Sequence, residues 1–129
     1  MKALITIAIV SLLMMVAVPA WAGTGAVAVY ICSQGEGASE DDVDAAAKAW
    51  LAAAKKVKGG EELEVVIMYP LAATMGESDF RFLVKAPSIT AWGTFMDNYE
   101  GEALAKEDRQ FADVASCADS ALWEWAVIK

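Results

Sequence analysis

Histidine is absent from all 129 residues, and the chain has little of several other reactive residue types. Without histidine there is no histidine-ligated haem, and no imidazole can act as a general base at neutral pH. The sequence also has no glycine-rich phosphate loop, no G-x-S-x-G nucleophile elbow and no cysteine and histidine spacing typical of zinc sites. Its acidic residues do not follow the order of a calcium-binding loop. We therefore predict no cofactor and no metal.

Positive charge is also scarce. The chain has 10 Lys and Arg residues against 18 Asp and Glu residues, which gives a formal net charge of −8. Such a surface repels phosphate backbones and anionic lipid headgroups. We therefore expect no nucleic-acid partner and no membrane contact for the mature chain, whereas a cationic or neutral partner fits the charge.

The chain contains only two cysteines, Cys32 and Cys117. In an oxidising compartment they have a single possible intramolecular pairing. Closing a loop this long is worth about 4 to 5 kcal/mol in the chain-entropy model. A redox-active thiol is the alternative, but neither cysteine belongs to a C-x-x-C pair or has a basic neighbour in sequence. We predict a structural Cys32–Cys117 disulfide.

Residues 1–22 have the pattern of a secretory signal peptide. Lys2 precedes an apolar run over residues 3–18, and Pro19 leads into Ala20-Trp21-Ala22, a small-x-small cleavage signal. The run is shorter than the roughly 20 residues of a membrane span. We therefore predict a signal peptide at 1–22, a single domain at 23–129, and an exported protein that is periplasmic or secreted.

Hydrophobic patterning divides the domain into strands and helices. The β-branched run at 26–32 is typical of a strand buried on both faces. Ser39 caps a helix that has apolar residues at three- and four-residue spacing and ends at Gly59-Gly60. Alternation predicts two further strands, at 63–69 and 80–85, joined as a hairpin by a loop of about eight or nine residues.

The second half repeats part of this order. Ser88 caps a second helix, and residues 102–114 indicate a further helix or a continuation of that one. Residues 115–120 are predicted to be a loop, and 122–128 a last strand. The order strand, helix, strand, strand, helix, strand is typical of a ferredoxin-like α+β sandwich with a four-stranded antiparallel sheet.

This topology and the predicted disulfide support each other. In a ferredoxin-like sandwich the first and last strands pair antiparallel, so the end of the first lies near the start of the last. Cys32 and Cys117 occupy those two ends.

The element order, the domain size and the segments PSITAWG at 87–93 and SALWE at 120–124 resemble the dimeric α/β-barrel superfamily, which includes the antibiotic-biosynthesis monooxygenase-like domains. The resemblance implies a homodimer with two sheets packed face to face, and a pocket between each sheet and its own helices. Activities in the superfamily range from cofactor-independent oxygenation and haem breakdown to no known reaction. The chain looks closer to members without recognisable catalytic residues, most of them uncharacterised, and we place it in an exported branch.

The resemblance also indicates candidate ligand-binding residues. Oxygenases of this kind often surround an aromatic substrate with tryptophan, tyrosine, asparagine and arginine, and the chemically suitable residues are Tyr69, Arg81, Trp92 and Asn98. Arg81 would bind a carboxylate or phenolate through its planar fork, or else be solvated or paired with Glu62 or Glu64 across the hairpin.

The tryptophans have a simpler interpretation. Trp50 and Trp92 lie on helix faces that should cover the sheet, where such residues usually belong to the core. Trp123 and Trp125 share one face of the last strand with Val127, which favours a dimer interface or a pocket wall.

We therefore expect an exported binding or structural module, homodimeric, that holds a small apolar or aromatic ligand. The first alternative is a cofactor-independent monooxygenase-like enzyme in which Tyr69, Arg81, Trp92 and Asn98 orient an aromatic substrate. The second is a protein-interaction module that uses the face of Trp123 and Trp125. The absence of histidine and the predicted export both weigh against the enzyme.

Overall fold

A computed structural model of the chain describes residues 24–72 and 80–128. The predicted signal peptide at 1–22 and residues 73–79 of the hairpin connection lie outside the described residues. The strands are β1 (Thr24–Gln34), β2 (Glu64–Met68), β3 (Phe80–Ala86) and β4 (Ala115–Ala126), and the helices are α1 (Glu40–Ala54), α2 (Ile89–Asp97) and α3 (Glu102–Val114). None of these helices combines the length and the apolar character needed to cross a membrane.

The strands form one four-stranded sheet in the order β2-β3-β1-β4, and every neighbouring pair is antiparallel. The hairpin of β2 and β3 and the pairing of the first strand with the last are both present. This topology confirms the predicted ferredoxin-like α+β fold. Residues 102–114 form a helix of their own, which settles the alternative that the sequence left open.

Helix α1 begins where its sequence predicts. The Ser39 hydroxyl accepts a hydrogen bond from the backbone N–H of Asp42 at 3.2 Å, and the Asp42 carboxylate accepts one from the backbone N–H of Ser39 at 2.8 Å. This reciprocal capping satisfies two of the N–H groups that a helix start leaves unbonded.

The end of α1 differs from the prediction. The helix ends at Ala54 with Lys55 as its C-cap, and turns rather than helix lead to Gly59. Gly59 has φ +88°, and a Cβ there would lie 2.9 Å from the Ala91 carbonyl oxygen of α2. The glycine pair therefore does more than stop a helix, because it lets this connection pack directly against the backbone of α2.

The core lies between one face of the sheet and the three helices. Along β3, Phe80, Phe82, Val84 and Ala86 are buried, and each residue between them is only partly buried. Val43, Ala47, Trp50 and Ala54 of α1, Phe95 of α2 and Leu104 of α3 close the core from the other side. We call this the helix-facing side of the sheet.

On the other side, which we call the open face, none of the three described helices packs. Strand register places on it Val27, Val29 and Ile31 of β1, Val66 and Met68 of β2, Arg81, Leu83 and Lys85 of β3, and Ala121, Trp123 and Trp125 of β4. The prediction that β1 is buried on both faces is wrong for the single chain. Val27, Val29 and Ile31 are only partly buried, because within residues 24–72 and 80–128 of one copy no helix covers them.

The last strand starts earlier than predicted. Residues 115–120 are not a loop but the first half of β4, and the strand ends at Ala126, which leaves Val127 outside it. Ile31 pairs with Asp119 and Cys32 with Cys117, so Ala118 is the extra residue of a bulge. The polar composition of 115–120 concealed the strand because strand formation depends strongly on the partner strand.

The disulfide between Cys32 and Cys117 is present and confirms the prediction. It joins paired residues near the end of β1 and the start of β4, beside the bulge, and it links residues 85 positions apart in sequence. The half-cystine at 32 is fully buried, whereas that at 117 is exposed. The bridge therefore fastens an exposed edge strand to the centre of the sheet.

Candidate functional site

A pocket of about 360 Å³ lies between the helix-facing side of the sheet and the helices. Strands β1 and β3 form its floor, and α1, α2, α3 and the α2–α3 connection form its walls. Most of the described residues that line it are aromatic: Tyr30, Trp50, Phe82, Trp92, Phe95, Tyr99 and Phe111. Its volume falls in the range of sites for small organic ligands.

The rings pack against one another in edge-to-face and tilted contacts. Trp50 meets Phe82 at 5.9 Å and Phe95 at 6.2 Å between ring centres, in both cases nearly perpendicular. Trp92 lies 5.9 Å from Phe95, and Phe82 lies 5.0 Å from Phe111. Such pairs are favourable beyond the area they bury, so the pocket wall is a cohesive cluster rather than a set of loose side chains.

One carboxylate, Asp108 of α3, faces this aromatic pocket. The indole N–H of Trp50 donates to its Oδ1 at 2.8 Å. The hydroxyl of Tyr99 lies 2.7 Å from Oδ1 and 2.8 Å from Oδ2. Both donors are neutral, and among the described residues no lysine or arginine pairs with Asp108 or lines the pocket.

The two tyrosines of the pocket are held in their protonated form. Burial raises the pKa of Tyr99 far above its ordinary value, and the hydrogen bond to Asp108 raises it further. Burial also raises the pKa of Tyr30, with a smaller contribution from the charge of Asp108. At neutral pH both phenols are therefore uncharged hydrogen-bond donors, and neither supplies a tyrosinate.

Of the four residues predicted to bind ligand, the structure places only Trp92 on the pocket wall. Tyr69 lies just beyond the end of β2, where its ring packs 5.7 Å from that of Phe80 and its hydroxyl donates to Asp44 at 3.1 Å. Burial and that hydrogen bond raise the pKa of Tyr69 to about 12. Tyr69 therefore fastens β2 to the start of α1.

Arg81 and Asn98 also lie away from the pocket. Arg81 is on the open face, opposite Ile31 and Met68, and its guanidinium donates to the Phe80 carbonyl at 3.4 Å. Asn98 is the exposed C-cap of α2, and its side-chain amide donates to the Thr94 carbonyl at 2.7 Å. The structure does not bring the four residues together in one site.

The residues that share the pocket with Trp92 were assigned to the core or were not singled out from the sequence. Trp50 was expected in the core, and it is indeed buried with 7% of its surface exposed, but it also lines the pocket. Asp108 stands in a charged stretch that has the pattern of a solvated helix face. The sequence signal for Asp108 was its spacing within α3, four residues after Leu104 and three before Phe111, which places it on the helix face that meets the core.

Trp123 and Trp125 do share one face, as predicted, and it is the open face. The Trp123 side chain is 60% exposed. Trp125 lies across Gly25, and the ammonium of Lys85 sits 5.3 Å from the centre of its ring. Lys85 also pairs with Glu64 at 3.1 Å, so this edge of the open face carries charge while its centre is apolar.

Over residues 24–72 and 80–128, no three side chains of the kinds that bind metal ions converge. Carboxylates among these residues accept hydrogen bonds from tyrosine, tryptophan, serine, lysine and backbone groups, as at Asp42, Asp44, Glu64 and Asp108.

No family model matches the chain, and no curated protein matches it. Among solved structures, similar folds include a dimeric ferredoxin-like protein of unknown function from Thermobifida fusca, 17% identical, covering 81% of this chain and 92% of that chain, with a TM-score of 0.49. Another is a Dabb family protein with a ferredoxin-like fold from Mesorhizobium loti, 12% identical, covering 83% and 99%, with a TM-score of 0.41. A dimeric protein of unknown function with a ferredoxin-like fold from Bacteroides fragilis is 3% identical, covers 81% and 95%, and has a TM-score of 0.40.

Proposed function

We propose that this protein is an exported module that binds a small apolar or aromatic compound in the pocket between its sheet and helices. One observation carries the proposal: the pocket of about 360 Å³ is walled by aromatic rings and contains a single carboxylate. A mostly apolar cleft with a few convergent polar groups is the usual form of a small-molecule site.

The positions of the four candidate residues favour ligand binding over oxygenation as the function of the pocket. The oxygenase alternative relied on four side chains acting together, and three of them, Tyr69, Arg81 and Asn98, lie outside the pocket. Among the described residues that line the pocket, Asp108 is the one side chain that could act as a base toward a phenolic substrate, because the pKa values of Tyr30 and Tyr99 are raised. Oxygen consumption with a panel of phenols is the test of that alternative.

Export is part of the proposal. Two features support it: the pattern of residues 1–22 and the disulfide between Cys32 and Cys117, since disulfides persist in oxidising compartments. The periplasm and the extracellular medium fit this chemistry equally well.

We also propose that the protein is a homodimer in which the open faces of two copies pack together. The exposed apolar side chains Val66 (38%), Met68 (54%) and Trp123 (60%) join the half-buried Val27 and Val29 of β1 in one patch. Contiguous exposed apolar patches of this kind mark interaction sites. A second copy of the chain fits this patch best, because β1 has the apolar pattern of a strand buried on both faces. In a dimer with two-fold symmetry, each copy would bury the open face of the other.

Binding is tested by calorimetric titration with 1-naphthalenemethanol, a neutral aromatic alcohol small enough for the pocket. Trp92→Ala is expected to weaken its affinity about tenfold, because it removes a large aromatic contact from the pocket wall. Trp123→Ala is the matched control, since the same side chain is removed from the opposite face of the sheet and the affinity should not change. Equal weakening by both variants would contradict the proposed site.

A further inference from the structure

We infer that the pocket selects organic cations, compounds with an ammonium group on an aromatic or aliphatic body, and that Asp108 is their counter-ion. The inference deepens the proposed function and rests on it, because it assigns the charge of the ligand at the same site. It arises from the contrast between a carboxylate and the neutral, aromatic surroundings in which the fold holds it.

The side chains around the Asp108 carboxylate donate hydrogen bonds to it but bring no positive charge to it. Its two donors, the Trp50 indole and the Tyr99 hydroxyl, are neutral and sit 2.8 Å and 2.7 Å from Oδ1. A half-buried carboxylate is costly unless it is paired with a positive charge. Because no cationic side chain of the described residues lines the pocket, a positive group on the ligand is the partner that would complete this site.

The Asp108 carboxylate can accept a hydrogen bond from a further donor. A carboxylate can accept about four hydrogen bonds on its two oxygens. The Trp50 indole donates to Oδ1, and the single Tyr99 hydroxyl proton is shared between Oδ1 at 2.7 Å and Oδ2 at 2.8 Å, so Oδ2 receives the fewer hydrogen bonds. Oδ2 is therefore the oxygen that an ammonium N–H would contact.

The aromatic walls suit a cation as well as they suit an apolar body. Cations are attracted to the faces of tryptophan and tyrosine rings, and the effect grows when water is excluded. Trp50, Trp92, Tyr30 and Tyr99 all line the same pocket as Asp108. Burial raises the pKa of both Tyr30 and Tyr99, so their rings remain neutral surfaces.

The charge of the whole molecule acts in the same direction. A formal net charge of −8 raises the local concentration of cations and lowers that of anions. A carboxylate or phosphate ligand would meet this long-range repulsion and then the charge of Asp108 at close range. Anionic ligands are therefore the class that the pocket should reject.

Three probes of nearly equal size test the inference on the disulfide-bonded protein: 1-naphthylmethylamine, 1-naphthalenemethanol and 1-naphthoate, each titrated calorimetrically at low salt. The amine is expected to bind at least tenfold more tightly than the alcohol, and the naphthoate at least tenfold more weakly than the alcohol. Asp108→Asn keeps the shape and an acceptor oxygen, and should bring amine and alcohol to within about twofold of each other. Asp113→Asn is the matched control, since it removes one charge from the same helix outside the pocket and should preserve the preference.

The outcomes separate the two claims. Equal affinities for amine and alcohol in the unaltered protein would overturn the inference and leave the proposed function standing. Absence of binding by all three probes would overturn the proposed function, and the inference with it. If Asp108→Asn does not fold, the comparison of probes on the unaltered protein and on Asp113→Asn still decides the matter.

Discussion

Replacing Cys32 and Cys117 together by alanine is expected to lower the free energy of unfolding by about 4 kcal/mol. The bridge closes a loop between residues 85 positions apart, so its loss restores much conformational entropy to the unfolded chain. The effect is a large fraction of the stability of a small domain. It is measured by urea unfolding followed through tryptophan fluorescence, with the oxidised protein as reference.

Reductant supplies the control for this prediction. A thiol reductant should shift the unfolding midpoint of the unaltered protein to that of the double variant, and should leave the variant itself unchanged. A midpoint that is the same in the oxidised protein, the reduced protein and the variant would show that the bridge contributes nothing to stability. It would also remove the main structural support for export.

Trp123→Asp is expected to raise the dissociation constant of the proposed homodimer about 100-fold or more. Trp123 lies in the second half of β4 on the open face and is 60% exposed in one copy, so the substitution would bury two charges, one from each copy, in the proposed interface. Large aromatic residues at the core of an interface commonly contribute about 2 to 4 kcal/mol to the free energy of binding. Sedimentation velocity over a range of protein concentrations measures the change.

Leu122→Asp is the matched control for the dimer. Leu122 is the preceding residue on the same strand, is 47% exposed, and lies on the helix-facing side, so the same substitution should leave the dimer intact. Two results would contradict the account: an unaltered protein that is monomeric at all concentrations, or dissociation by Leu122→Asp alone. A monomer that retains the exposed Trp123 would favour the protein-interaction alternative.

The fold was largely predictable because its signals are local. Ser39 and Ser88 cap the helices that they were predicted to cap, and β3 alternates as its sequence indicates. The long-range pairing of Cys32 with Cys117 followed from the topology and the presence of only two cysteines. Each of these inferences needs only a short stretch of chain or a single possible pairing.

The site was much less predictable because it is assembled from distant segments. Trp50 and Asp108 are 58 positions apart, yet their side chains share a hydrogen bond of 2.8 Å. In sequence, Asp108 is one of several acids on an amphipathic helix, and its spacing to Leu104 and Phe111 is the one local sign that it faces inward. Tyr69 was predicted to bind ligand because its side chain is chemically suitable, but its hydroxyl donates to Asp44 of α1, and it does not line the pocket.

The start of β4 illustrates a third limit. Residues 115–120 have the composition of a loop, and they become a strand because β1 offers a long partner and the disulfide holds them to it. Pairing of this kind is a tertiary effect that overrides local preference.

The central claim, that ligand binds between sheet and helices, is tested most directly by the indole N–H signals in an NMR titration with 1-naphthylmethylamine. Trp50 and Trp92 line the pocket, whereas Trp123 and Trp125 lie on the open face, so four reporters surround the sheet on both sides. We expect saturable chemical-shift changes at the indole N–H signals of Trp50 and Trp92, and no change at those of Trp123 and Trp125. Shifts confined to Trp123 and Trp125 would place binding on the open face and contradict this claim.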